Sequence, residues 1–102
     1  MNRGDVWLAE VGRKRRPVLV LTRDEVIDVR SLITVAEIST SARGLATEVE
    51  FDHVRVGLEH GSVINCDGLH TIAQVMLTAH VGEVDEDTLA RVCAAVSYGI
   101  GC

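Results

Sequence analysis

Four cationic side chains, Arg13, Lys14, Arg15 and Arg16, stand directly before Pro17 and a run of branched apolar residues in the stretch GRKRRPVLVLTR (12–23). A guanidinium offers a planar fork that grips phosphate oxygens in two places. Arg13, Lys14 and Arg15 lie ahead of the proline and are expected to be exposed. Arg16 adjoins the apolar run, so its backbone is expected to be rigid. A rigid arginine is the better candidate for stabilising charge in a transition state. The plainer alternative is a solvated loop whose charge keeps the mouth of a small barrel soluble.

Other residues suit the same chemistry. Ser39, Thr40 and Ser41 follow the apolar run LITVAEI (32–38). A hydroxyl there would hydrogen-bond a phosphate oxygen or orient an attacking alcohol, or would simply satisfy its own turn. Asp67 and His70 follow SVINC (62–66) and pair a carboxylate with an imidazole, the groups of general acid–base catalysis. In an extended strand residues three apart face opposite ways. A bulge or turn is therefore needed to unite them, and Gly68 permits one. Trp7, Phe51 and Tyr98 are the only aromatics. That is too few to stack a long single strand, although one ring suffices for a short motif. Trp7 reads first as a core residue. Cys66, Cys93 and Cys102 cannot all pair within the chain, and with His53, His60, His70 and His80 they match no zinc spacing. No metal or other cofactor is expected.

The elements that must position these groups are mostly short strands. VWLAEV (6–11), PVLVLT (17–22), LITVAEI (32–38), LATEVEF (45–51), SVINC (62–66) and AHVGEV (79–84) have strand-like patterns. Gly12 and the basic cluster form a loop, and Pro17 suits a strand start. RDEVIDVRS (23–31) allows a helical turn. STSARG (39–44) is a turn in which Gly44 takes positive φ. Residues 52–61 read as a loop. The C-terminal segment differs. Asp85 is a plausible N-cap, and Leu89, Val92, Cys93 and Val96 recur at helical spacing before Gly99 and Gly101. Many short strands closed by one amphipathic helix predict a mainly β (α+β) fold, a small curled antiparallel sheet or barrel.

The 102 residues read as a single domain, 1–102, with a soluble composition of 47% apolar and 25% charged residues. Neither a leader nor an apolar run of membrane-spanning length is evident, so the chain reads as cytoplasmic with no membrane partner. Its net charge of −5 is unevenly placed. Residues 1–55 hold nine basic and nine acidic side chains, whereas residues 56–102 hold one basic and six acidic. An acidic total argues against indiscriminate nucleic-acid binding. A local basic groove survives it, because salt screens charges beyond about 8–10 Å.

The motifs GDVW (4–7), RRPVLVLT (15–22), VAEISTSARG (35–44), SVINCDGLHTI (62–72) and VGEVDEDTLARV (81–92) resemble, in order and spacing, the MazF/PemK-type toxins of bacterial toxin–antitoxin pairs. The resemblance implies an SH3-like (CcdB/PemK-like) barrel with a C-terminal helix, acting as a homodimer. It implies sequence-specific, metal-independent cleavage of single-stranded RNA. It also implies inhibition by an antitoxin whose acidic C-terminal segment blocks the RNA groove. The family's arginine before Pro-Val falls on Arg16. Its threonine after the third core strand falls on Ser39, with Thr40 next to it. Asp67 matches an aspartate of PemK relatives, and His70 stands where those relatives often carry an arginine. Arg13, Lys14, Arg15, Arg43 and Trp7 complete the expected RNA-contacting set. Three other readings compete: a same-fold poison of a topoisomerase such as gyrase, a non-catalytic SH3-like binding module, and a metal-dependent phosphodiesterase.

Overall fold

The computed structural model describes residues 1–11 and 13–99. Gly12, Gly101 and Cys102, for which the sequence suggested a loop, a helix stop and a third thiol, lie outside them. Six strands form one antiparallel sheet: β1 (Asp5–Val11), β2 (Lys14–Val20), β3 (Leu32–Ser39), β4 (Glu48–Glu50), β5 (Val63–Ala73) and β6 (Leu77–Glu83). Their hydrogen-bonded order is β4-β5-β3-β2-β1-β6. Two short helices, α1 (Asp24–Ile27) and α2 (His53–Val56), lie in connections, and α3 (Glu86–Gly99) ends the described chain.

Alternation along the central strands divides the core in two. Leu19, Ala36, Ile38, Ile64 and Cys66 join Val92 and Ala95 of α3 on one face. Val18, Val20, Ile33 and Val35 join Ala9, Ile27 and Leu77 on the other. Each β2 and β3 position thus serves one face or the other, as the period of two requires. Strand β2 is buried on both faces over Val18–Val20, which is why its apolar run is continuous and not alternating. Burying a side chain such as Leu19 or Ile33 contributes roughly 1.5–3 kcal/mol relative to leaving it exposed.

Helix α3 begins where its sequence places it. The Asp85 carboxylate accepts a 2.8 Å hydrogen bond from the Thr88 backbone N–H, closing the first turn. The buried line is Thr88, Val92 and Ala95, so the face is rotated slightly from the expected stripe. Leu89, Cys93 and Val96 flank it, half-buried.

Several boundaries differ from the sequence reading. Strand β2 starts at Lys14, so Lys14, Arg15 and Arg16 lie on a strand and only Arg13 stands in the turn. Strand β5 runs eleven residues, through the Asp67-Gly68 pair that looks like a turn. Strand β4 keeps only Glu48–Glu50 of the longer strand expected, and α2 occupies part of the expected 52–61 loop. Asp52 caps α2 by accepting from the Arg55 N–H at 3.2 Å. Gly44 does take positive φ, at 71°.

Candidate active site

Arg16 projects from the N-terminal end of β2. Its backbone is seated by β1, where Ala9 is its partner. The ladder from β2 to β3 begins only at Val18, opposite Glu37. Pro17 supplies the reason. The Val20 C=O accepts from the Gly4 N–H on the β1 side, and the Leu21 N–H reaches the Thr34 C=O on β3. Backbone direction alternates along a strand, so the Pro17 nitrogen faces β3, and proline has no hydrogen to give. The strands therefore part just before Val18. Arg16 and Ser39 each lie two residues past the last paired rung, Val18–Glu37, on their own strands. Both belong to the face of Val18 and Val35, away from α3.

Glu37 stands on this face at the last β2–β3 rung. Its Oε1 accepts from Arg16 Nη1 at 2.6 Å, and its Oε2 lies 3.3 Å from His70 Nε2. The Glu37 side chain is 24% exposed, against 44% for Arg16 and 39% for His70. A carboxylate thus joins two sequence-expected residues that are fifty-four positions apart, on different strands.

A bulge brings His70 there. His70 pairs with Val35 and Leu69 with Ala36, but Glu37 pairs with Asn65, so Cys66–Gly68 are extra residues on β5. A Cβ on Gly68 would lie 3.3 Å from the Glu37 Cβ and 3.2 Å from Asn65 Nδ2. Only a residue without a side chain fits this approach comfortably. The bulge that Gly68 was expected to allow is present, yet it does not unite Asp67 with His70. Asp67 accepts a 2.6 Å hydrogen bond from Thr47 Oγ1 and adjoins Gly99 at the end of α3.

The remaining expected residues are dispersed. Ser39 Oγ accepts from the Ser41 N–H at 3.1 Å, as a turn serine does, and Thr40 follows it, exposed, in the bend. Arg13, Lys14 and Arg15 are exposed. Arg43 is exposed in the 40–46 loop, where its backbone N–H donates to Glu48 Oε1 at 2.9 Å. The N–H groups of Leu45 and Arg43 hold the Glu48 carboxyl below its ordinary range. Trp7 is half-buried beside the second core cluster. Its ring lies 5.3 Å from that of His80, tilted by 56°. Its indole N–H is buried and without a hydrogen-bond partner among the described residues.

Cys66 is buried under α3, and burial first, then the neighbouring Asp67, pushes its thiol up to about 11. It is an inert core thiol rather than a nucleophile. Among the described residues no group of three or more His, Cys, Asp or Glu side chains is placed to hold a metal ion. Among them, too, no helix is long and apolar enough to cross a membrane.

An open six-stranded antiparallel sheet with one C-terminal helix against a face is the mainly β fold expected from the sequence. Residues 2–99 match the family of PemK-like, MazF-like toxins of type II toxin–antitoxin systems, and the chain belongs to that family. It is 31% identical over 102 residues, the full length of both chains, to a probable endoribonuclease MazF2 of Mycobacterium tuberculosis. It is 48% identical over 69 residues to endoribonuclease MazF3 of the same species, spanning 68% of this chain and 66% of that one. The solved structure of the M. tuberculosis toxin MazF-mt6 superposes with a TM-score of 0.88 at 35% identity, covering 95% of this chain and 96% of the other. A MazE–MazF crystal structure from Deinococcus radiodurans superposes with a TM-score of 0.82 at 27% identity, covering 100% and 97%.

Proposed function

We propose that residues 1–102 form one toxin domain that acts as a sequence-specific, metal-independent endoribonuclease on single-stranded RNA. It works in the cytoplasm as a homodimer and arrests growth by stopping translation. An antitoxin with an acidic C-terminal segment restrains it by competing for the same cationic face. The observation that carries this reading is the Arg16–Glu37–His70 cluster, with Ser39 on the same face at the end of the neighbouring strand.

RNA brings its own nucleophile, the 2′-OH next to the scissile phosphate. A base removes the 2′-OH proton, O2′ bonds to phosphorus, the P–O5′ bond breaks, and an acid protonates O5′. The products are a 2′,3′-cyclic phosphate and a 5′-OH. The protein must position the groups, move two protons and stabilise the crowded phosphorane. Arg16 carries the last task, since its backbone is seated in a β ladder and its Nη2 and Nε edges are not taken up by Glu37. Ser39 supplies the hydroxyl that orients the phosphate or the 2′-OH, because strand alternation puts it on Arg16's side. Thr40, one residue on, is the second choice. His70 is the acid/base candidate within this cluster, and Asp67 stands behind it. Arg13, Lys14, Arg15 and Arg43 hold flanking phosphates, and Trp7 offers the exposed part of its ring to a base.

Incubation of the purified protein with a mixed RNA pool in EDTA tests the proposal. Discrete cuts at a recurring motif, leaving cyclic-phosphate and 5′-hydroxyl ends, are expected. Intact RNA would overturn it in favour of a binding module or a topoisomerase-directed toxin, and cleavage only after a metal is added would overturn metal independence.

A further inference from the structure

We infer that Glu37 is the positioning residue of this site, one carboxylate that sets both the phosphate-binding guanidinium of Arg16 and the proton-transferring imidazole of His70. The inference rests on the ribonuclease reading and adds to it a residue outside the expected set.

The two oxygens are divided between two partners, Oε1 to Arg16 Nη1 at 2.6 Å and Oε2 to His70 Nε2 at 3.3 Å. A guanidinium held on one edge still presents its other N–H groups to a phosphate. An imidazole that donates its Nε2–H to a carboxylate keeps the lone pair on Nδ1, which is the form a base needs. One anion therefore fixes an orientation and a tautomer together. It need not touch the reacting atoms to do so.

The strand context singles the carboxylate out. Ile33 and Val35 precede Glu37 on the same face and are buried. Glu37 interrupts that apolar row where β2 and β3 separate. The Gly68 bulge packs closely against its Cβ, so the side chain is confined on the β5 side. An acid at the end of a buried row costs desolvation unless partners of opposite charge or N–H donors meet it. Here both partners are candidate active-site residues.

The test compares Glu37→Gln, Glu37→Asp, His70→Ala and Glu37→Gln/His70→Ala in the full chain on a synthetic RNA containing a mapped cut site. Glutamine keeps the size and still accepts from Arg16. Its NH₂ meets a donor at His70 Nε2, so the ring tautomer must reverse or the contact break. Single-turnover cleavage by Glu37→Gln is expected to fall at least about 10-fold, with RNA affinity within about 3-fold of wild type and an unchanged melting temperature. Glu37→Asp is expected to recover part of the rate. The double variant is expected to be no slower than His70→Ala, since glutamine still holds Arg16 and its cost runs through the imidazole alone. Wild-type or faster cleavage by Glu37→Gln would overturn the inference while leaving the ribonuclease reading intact, as would losses that multiply in the double variant. A wild-type protein that does not cut RNA would remove both.

Discussion

Thr47 Oγ1 donates a 2.6 Å hydrogen bond to Asp67 Oδ2, and this bond commits Asp67 to the β4 side and the end of α3 while His70 turns to Glu37. Thr47 is buried at 7% exposure, so its hydroxyl depends on that acceptor. Asp67→Ala is expected to destabilise the fold by about 1–3 kcal/mol, the cost of a buried donor left unpaired. RNA cleavage at a temperature well below melting should slow by less than about threefold, far less than in His70→Ala. Denaturant unfolding and a gel-based cleavage assay on the same preparations check both halves.

Arg16→Ala should reduce the cleavage rate by about 100- to 1,000-fold, the usual effect of deleting one donor to a developing oxyanion. Arg16→Lys should recover little, because an ammonium cannot bond Glu37 and a phosphate along two planar edges. Neither change should lower the melting temperature much, since the Arg16 side chain is 44% exposed and its ion pair lies near solvent. Single-turnover kinetics with circular dichroism on each variant separates catalysis from folding.

Ser39→Ala and Thr40→Ala should part company. Ser39 shares a face with Arg16, while Thr40 stands beyond the last residue of β3. Ser39→Ala is expected to slow cleavage by about tenfold or more, and Thr40→Ala by no more than about twofold. The reverse order would move the catalytic hydroxyl one residue along. Quantifying both variants on one labelled RNA decides it.

Acid should weaken the start of α3. The Thr88 hydroxyl and backbone N–H hold the Asp85 carboxyl below its usual range, with Arg55 contributing less. A group whose folded pKa is lowered adds stability above its unfolded value, about 3.9, and loses it as pH falls through the folded value. Glu48 titrates in the same direction, through its hydrogen bonds from Leu45 and Arg43. The melting temperature should therefore be flat near neutrality and fall below about pH 4. Asp85→Asn, which still accepts from Thr88 but carries no charge, should show a shallower acid limb. A scan of melting temperature against pH for the two proteins reads the difference.

The strands and the terminal helix were legible because their apolar periods are local. PVLVL and LITVAEI contain only side chains that fit one face or the other, and Asp85 with Thr88 caps a helix within four residues. The extent of β5 was not legible, because Asp67-Gly68 has turn chemistry and a bulge absorbs it without ending the ladder. Lys14–Arg16 read as loop because charge suggests solvent, yet pairing with β1 needs only their backbone. Glu37 has no local signature, for a related reason. Its partners lie at positions 16 and 70, and no local pattern joins them. One clue was present, a lone acid in phase with the apolar Ile33 and Val35 that precede it on that face. Such a conflict between local pattern and burial marks places where function overrides packing.

The parting of β2 from β3 comes from an atom that Pro17 never possesses. A donor lost in this way is lost in every molecule and at every pH, because its absence is covalent and belongs to neither a titration nor a hinge. Past Val18 the β2–β3 ladder lacks that rung, and Arg16 takes its backbone support from β1.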